Sequence, residues 1–494
     1  MFTFRLVSKI NQLSDYLRKL RKMLHILSGN EKAEIHKTGL RILSEVGIRV
    51  RHKIIYDLLL EAGGEPDRSD SLRVYLSEKM VDKFVALCPK QFAIKDRIGK
   101  ETVVESRGTT LYYTANATHF VRGTCKKAVE VGVSEFTDFV RVADKLENIG
   151  GIVGTSLKEF PPNCRDFAGF KISAQYSAKH LRPCIYTPSG AEAIIEMSDV
   201  ILEGKTLRDN MFFTLGYSIV SPLTWTETAL ELFYKTKDYG IPVMINSEPL
   251  AGGTSPVTLA GSLAMADAEV LSGIVINQII EPGRPCIYNS GFAHVFDMMT
   301  TLVLTGSPEN ALLQAAGAEM AQYHKLPSAS WALSDSAMLD SQASCEKLLT
   351  ALIHTLSKVN IVWGIGNIET SKTISPEVAV IDNELIGNCI RFSDRFKVDE
   401  EHLAFNVIKD VAFKGSFLET THTLEHFQEE IRYSGLLNRS NRSLWGKSGS
   451  QSIEEKAEEV VNGILSREPD IYLSGSQIQK LESVQKKWME RLNS

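Results

Sequence analysis

The chain has 494 residues, 43% hydrophobic and 23% charged, with 34 glycines and 16 prolines, a globular composition that excludes a fibrous or largely disordered protein. Its 55 Lys and Arg against 60 Asp and Glu leave a net charge of −5, so no basic excess exists to neutralise a phosphate backbone, and nucleic acid is not an expected partner. The seven cysteines are odd in number, dispersed and never spaced C-x-x-C, which points to a reducing, cytoplasmic location and away from a cysteine zinc site; no apolar run is long enough for a membrane span.

Residues 1–27 place Leu6, Ile10, Leu13, Leu17, Leu20 and Leu24 at helical spacing beside six Lys or Arg residues. Residues 1–30 therefore read as a docked surface helix or leader, with a targeting or membrane-surface helix as the competing reading. Residues 31–135 read as an α+β addition. Helices are expected over 31–45, 54–62 and 77–87, a strand over 48–50, and the β-rich runs TVVES and TLYYTANATHF, between 101 and 120, predict a hairpin reaching over a barrel mouth.

Residues 136–396 carry a repeat in which a short apolar or β-branched run ends in small polar residues and yields to a helical pattern. The expected strands are GIVGTS (151–156), PCIYTPS (183–189), MFFTLGYS (211–218), PVMINSEP (242–249), PCIYNSG (285–291), SASWALSD (328–335), NIVWGIGN (360–367) and EVAVID (377–382). Helices are expected over 191–202, 226–239, 257–280, 310–324 and 341–358. Such alternation predicts an α/β fold, a (β/α)8 TIM barrel, with an open doubly wound sheet as the alternative. Residues 397–494 read as a helical C-terminal region of surface or interface helices, compatible with a homo-oligomer.

Catalysis in such a barrel belongs to the carboxyl ends of the strands, so side chains there are the candidates. No lysine stands at a strand end, which disfavours Schiff-base and pyridoxal chemistry. The eleven histidines show no H-x-H or H-E-x-x-H, so no metal is expected in the site. His422 and His426 (HTLEH) form the one close pair, half a metal site at most, and a packed or solvated helix face accounts for them. Gly364 and Gly366 in GIGNIE are candidate cofactor-approach glycines or packing glycines. Glu248 ends a strand and leads into a loop of small residues; it is a candidate base, ammonium counter-ion or acceptor, with Asp335 as a possible acid–base partner. Aromatic residues cluster near the expected mouth, among them Tyr217, Trp331 and Trp363. A quaternary ammonium has no N–H to donate and is held by aromatic faces, so these are candidates for a cation cage, although a single tyrosine serves core packing as readily.

The segments IHKTGLRILSEVGIRV, LLLEAGGEPD, VSEFTDFVRVADKLENIGGIVG, EPLAGGTSPVTLAGSLAMADAEVLSGIVINQIIEPGRPCIY, LSDSAMLDSQAS and ISPEVAVIDNELIG resemble the trimethylamine methyltransferase-like superfamily, over about residues 31–396. The resemblance is to its branch without pyrrolysine, which includes glycine betaine:corrinoid methyltransferases. Trimethylamine enzymes insert pyrrolysine in the segment corresponding to Ser334–Gln342; here the chain runs SDSAMLDSQ, with Ala337 and Met338 in that neighbourhood. The resemblance implies transfer of a methyl group from a small quaternary amine, such as glycine betaine, proline betaine or carnitine, to Co(I) of a cobalamin-type corrinoid on a partner corrinoid protein. For a betaine, the carboxylate needs donors, and Asn116, His119, Asn246 and Asn289 are the candidates, with Ser334 or Asp335 shaping the loop. The competing readings are a barrel lyase or hydrolase that uses Glu248 and Asp335, and a non-catalytic betaine-binding barrel.

Overall fold

The computed structural model describes residues 24–123, 127–291 and 294–493. The amphipathic leader expected over 1–27 thus lies outside the described residues, apart from its last four. Eight parallel strands form one sheet: β1 (Leu111–Thr114), β2 (Ile149–Val153), β3 (His180–Arg182), β4 (Leu215–Ser218), β5 (Val243–Asn246), β6 (Cys286–Gly291), β7 (Ser328–Trp331) and β8 (Ile361–Ile365). Each strand pairs with its sequence neighbours, β8 returns to β1, and the bridge Leu181↔Phe213 joins β3 to the approach of β4. The sheet is therefore closed, a (β/α)8 barrel.

The helices that follow the strands in turn are α1 (Val133–Lys145), α2 (Arg165–Tyr176), α3 (Pro188–Leu202), α4 (Glu227–Lys235), α5 (Leu259–Ile280), α6 (Pro308–Tyr323), α7 (Ser341–Ser357) and α8 (Pro376–Asp394). Their starts follow the chemistry of the sequence. Thr187, Thr226, Ser307, Asp340 and Ser375 each accept a backbone N–H at a helix N-terminus, and proline occupies the first turn of α3, α6 and α8.

Two sequence expectations are corrected here. The run EVAVID is the beginning of α8, and the eighth strand comes instead from Leu111–Thr114, inside the stretch expected to precede the barrel. Ser375 and Pro376 impose a helix start that the β-branched residues of EVAVID do not override. The hairpin is Gln91–Lys95 with Glu101–Glu105, and it lies at the opposite end from the mouth. Lys95 N bonds to Met211 O, His180 Nδ1 meets Lys95 O at 2.8 Å, and Asn360 Nδ2 donates to Glu105 O, so the hairpin covers the amino ends of β3, β4 and β8.

Helix α5 is rich in apolar residues around its whole circumference and buried along most of its length, so it must be covered on all sides. Strands β5 and β6 cover its inner face; helices Gly29–Arg41 and Glu78–Leu87 of the N-terminal addition cover the outer one. It is long and apolar enough to cross a membrane, but 83% of its most apolar window is buried in this fold. Its one buried aspartate anchors the addition. Asp267 takes His36 Nδ1 at 3.3 Å, His324 Nε2 at 3.0 Å and the Tyr288 hydroxyl at 2.7 Å, joining helix Gly29–Arg41, α5, the end of α6 and β6.

Candidate active site

The barrel interior is layered. Tyr113, Met244, Ile287, Ala329 and Ile361 form an apolar layer, with Trp363 and Trp331 against it. Above it, toward the carboxyl ends, the lining turns polar. Asn289 Nδ2 donates to Asn246 Oδ1 (2.9 Å), Asn246 Nδ2 to Ser218 Oγ (3.2 Å), and Ser218 Oγ to Glu248 Oε1 (3.1 Å). This ladder crosses β6, β5 and β4 and ends at a carboxylate open to the mouth. Although solvent reaches Glu248, protein walls it closely; burial raises its pKa above 4.5, offset in part by the Ser218 hydroxyl and the Arg182 charge.

Arg182, at the end of β3, is the residue that the sequence reading missed. Its guanidinium crosses the lumen and lies 3.7 Å from the centroid of the Trp363 ring. Nη1 donates to Pro183 O (3.1 Å) and contacts the Cys184 thiol (3.7 Å), while Nε is buried without a hydrogen-bond partner. Gly216 is required for this pose: a Cβ there would collide with Nη2 of Arg182 and stand 3.2 Å from Asn246 Nδ2. Burial lowers the arginine pKa, opposed by nearby groups that include Glu248, and an arginine stays charged nonetheless. The lumen thus holds one cation and one carboxylate within electrostatic reach of each other. Asn289 Oδ1 and Thr214 Oγ1 are further buried polar atoms without partners.

Trp331 and Trp363 do come together, with ring centroids 5.8 Å apart and planes at 37°. One face of Trp363 is already covered by Arg182, which leaves the half-buried Trp331 as the more accessible indole. Asn116 follows β1 and interacts with the hydroxyl of Tyr186, whose phenol is pushed up by burial. His119 lies on His119–Phe120, part of a small sheet with Val129–Glu130, Thr373–Ile374 and Asn367–Ile368 contributed by the loops after β1 and β8; its Nδ1 is 2.9 Å from Thr118 Oγ1.

The other candidates are placed elsewhere. Tyr217 points outward, because its strand position is odd relative to Gly216 and Ser218; its hydroxyl meets Thr236 at 2.7 Å and its ring packs on Phe233 of α4. Asp335 holds loops: it accepts from Thr305 N, Thr305 Oγ1, Gly306 N and Thr370 Oγ1, all at 2.6–3.1 Å. Ser334 Oγ donates to Glu346 (2.7 Å), which also receives Asp335 N. Gly364 and Gly366 serve packing, with φ of 103° and 82°: a Cβ would press on Ala332 O at the first and on the Phe139 ring at the second. Beside them, buried Lys347 of α7 donates to Gly364 O (2.5 Å) and Asp382 (3.0 Å), and Asp382 accepts Gly366 N (2.8 Å).

The profile of the trimethylamine methyltransferase (MTTB) family matches residues 5–487, nearly the whole chain. The chain belongs to this family. It is a methyltransferase, and its family relatives cover it almost end to end. A trimethylamine methyltransferase MttB of Methanosarcina barkeri (strain Fusaro / DSM 804) is 31% identical over 465 residues, 90% of each chain. A glycine betaine methyltransferase of Desulfitobacterium hafniense (strain Y51) is 27% identical over 428 residues, 86% of this chain and 88% of the relative. Among solved structures, the Methanosarcina barkeri monomethylamine methyltransferase aligns over 92% of each chain with a TM-score of 0.49 and 12% identity. The MTTB assignment agrees with the resemblance read from the sequence motifs.

Proposed function

We propose that this MTTB-family methyltransferase demethylates a small betaine-type quaternary amine, such as glycine betaine, proline betaine or carnitine, and delivers the methyl group to a corrinoid carried by a separate protein. The observation that carries the reading is the placement of buried Arg182 and the strand-end carboxylate Glu248 in one lumen lined by Trp331 and Trp363. A simple amine cation would meet the arginine as a like charge. A zwitterion satisfies both poles: its carboxylate takes the Arg182 Nε donor, and its ammonium lies toward Trp331 and Glu248. The glycine betaine methyltransferase relative adds support.

The corrinoid, as co-substrate, supplies the nucleophilic methyl acceptor. Ser218 and Glu248 are exposed at the carboxyl ends of the strands, so the polar ladder faces the side from which an acceptor would be presented. The chain's own task is positioning. The ammonium charge vanishes as the C–N bond breaks, so a carboxylate close to it favours bound substrate over the transition state. Acceleration then comes from holding the methyl carbon in line and excluding water, work suited to indole faces and a fixed guanidinium. No proton transfer is needed, since the departing amine is neutral. In the segment where trimethylamine enzymes carry pyrrolysine, Ala337 is exposed and Met338 half-buried, and neither offers a nucleophile. The acid–base alternative loses its second member, because Asp335 is engaged by four groups of neighbouring loops.

The test is spectroscopic: reduced cobalamin is mixed with the enzyme and single members of a panel of betaines, choline and trimethylamine. Conversion to methylated cobalamin is expected with at least one betaine and not with trimethylamine. Turnover of trimethylamine alone, or no change across the panel, would overturn the proposal.

A further inference from the structure

We infer that the C-terminal region holds a site for a divalent transition metal, formed by His402, His426 and Glu429. The HTLEH pair lies on helix Thr421–Glu430, with the His422 and His426 ring centroids 4.4 Å apart. The fold adds a third imidazole from a different element: His402, on the short helix Glu400–Leu403, lies 5.2 Å from His426, ring to ring. One ligand atom each from His402, His426 and Glu429 lie within 4.8 Å of one another.

The state of His402 points to a ligand. Its side chain is 10% exposed, and Nε2 is buried without a hydrogen-bond partner. Nδ1 is held at 2.6 Å by Asp399, so an Nδ1 proton donated to that carboxylate leaves the lone pair on the buried, unpartnered Nε2. A carboxylate that fixes the far nitrogen of an imidazole is the arrangement that orients metal-binding histidines. The neighbouring charges are accounted for: His426 Nε2 is 3.4 Å from Glu401, Glu429 receives Lys397 at 2.6 Å, and His422 Nε2 turns to the Glu401 carbonyl at 3.3 Å. Two imidazoles and one carboxylate suit zinc or cobalt(II) and suit calcium or magnesium poorly.

The location gives such an ion a purpose. Helices Glu400–Leu403, Phe405–Val411, Thr421–Glu430 and Arg442–Lys447 contain no buried residue, so this segment lacks an apolar core of its own. A metal joining the first and third of these helices supplies binding energy where packing does not.

The experiment uses full-length protein stripped with chelator, then titrated calorimetrically with Zn²⁺ and, by visible absorption, with Co²⁺. One ion per chain is expected, with Co²⁺ showing the intense bands of low coordination number. His402→Ala and His426→Ala abolish binding. Asp399→Asn keeps the helix cap, since asparagine caps as well as aspartate, but weakens binding about 10–100-fold. In a parallel measurement, Zn²⁺ protects residues 397–450 from proteolysis in the unsubstituted protein and not in either histidine variant. Failure of the unsubstituted protein to bind either ion, or histidine variants that bind and are protected as it is, would overturn the inference.

Discussion

Arg182 and Glu248 are opposite charges held in one lumen, and their chemistry sets separate expectations. Glu248 titrates above 4.5 because burial disfavours its charged form, so its carboxylate forms only as pH rises through that raised value. If it is the partner of the ammonium, KM for a betaine falls as pH increases through this titration, and Glu248→Gln removes the pH dependence. A wild-type KM that does not change with pH would show that the carboxylate is not the ammonium's partner. Trp331→Ala is expected to weaken substrate binding by about 0.5–2 kcal/mol, the scale of a cation–π contact. Trp363→Ala should do more, since that indole also holds Arg182; calorimetry with a non-reacting analogue ranks the two. At this scale the sequence was legible where side chains follow strand parity. Asn246, Asn289, Trp331 and Trp363 were all read from strand ends, and all four line the interior. Tyr217 was misplaced by one residue of alternation, which turns a side chain from the lumen to the helix layer. Arg182 was missed because the run expected as the second strand was placed at Pro183–Ser189, whereas β3 spans His180–Arg182 and a charged residue there goes inside.

Lys347 and Asp382 are an ion pair between elements, buried at the junction of α7, α8 and β8. Burial lowers the lysine pKa and raises that of the aspartate, each drawn back by the other, and Lys347 also donates to Gly364 O. Removing one partner strands the other: Lys347→Met should cost about 3–5 kcal/mol, and adding Asp382→Asn should recover part of it. Denaturant melts of the single and double variants decide this; strictly additive losses would show that the two are not coupled. The same junction explains why the eighth strand was misread. EVAVID has β-branched residues and a short length that fit a strand, yet Ser375 caps it and Pro376 opens it as a helix. The real partner of that strand expectation, LYYT, lay between two turn-rich stretches in a segment that also contains a hairpin, and local pattern does not distinguish a barrel strand from a hairpin arm.

Over the whole molecule, the closed barrel is capped below by the hairpin, bound on one flank by the N-terminal helices and on another by the C-terminal helices. The N-terminal attachment runs through Asp267. Burial works against protonation of His36, but the Asp267 carboxylate outweighs it and raises the His36 pKa above 6.5; Asp267 itself is held far below the ordinary carboxylate range against its burial, by His324 and His36. The His36 contribution to stability is therefore complete below 6.5 and is lost as pH rises through its raised folded value. Asp267→Asn should lower the thermal midpoint, with a gap from wild type that narrows above that titration; a gap independent of pH would remove His36 from the account. The barrel class and the order of its helices were legible because they rest on repeat spacing, although the count of eight was reached with EVAVID in place of Leu111–Thr114. The hydrogen-bonded ladder of the lumen and the place of Arg182 in it were not legible, because they depend on which strands are neighbours and which face each other across the barrel.

Recognition of a zwitterion is tested by the ratio of kcat/KM for glycine betaine over choline, which keeps the trimethylammonium and replaces the carboxylate by a hydroxymethyl group. A ratio on the order of 100-fold is expected in the wild-type enzyme, the upper scale of one charge-assisted hydrogen bond from Arg182 Nε, collapsing toward unity in Arg182→Met. A wild-type ratio near unity, or one that Arg182→Met leaves unchanged, would contradict it.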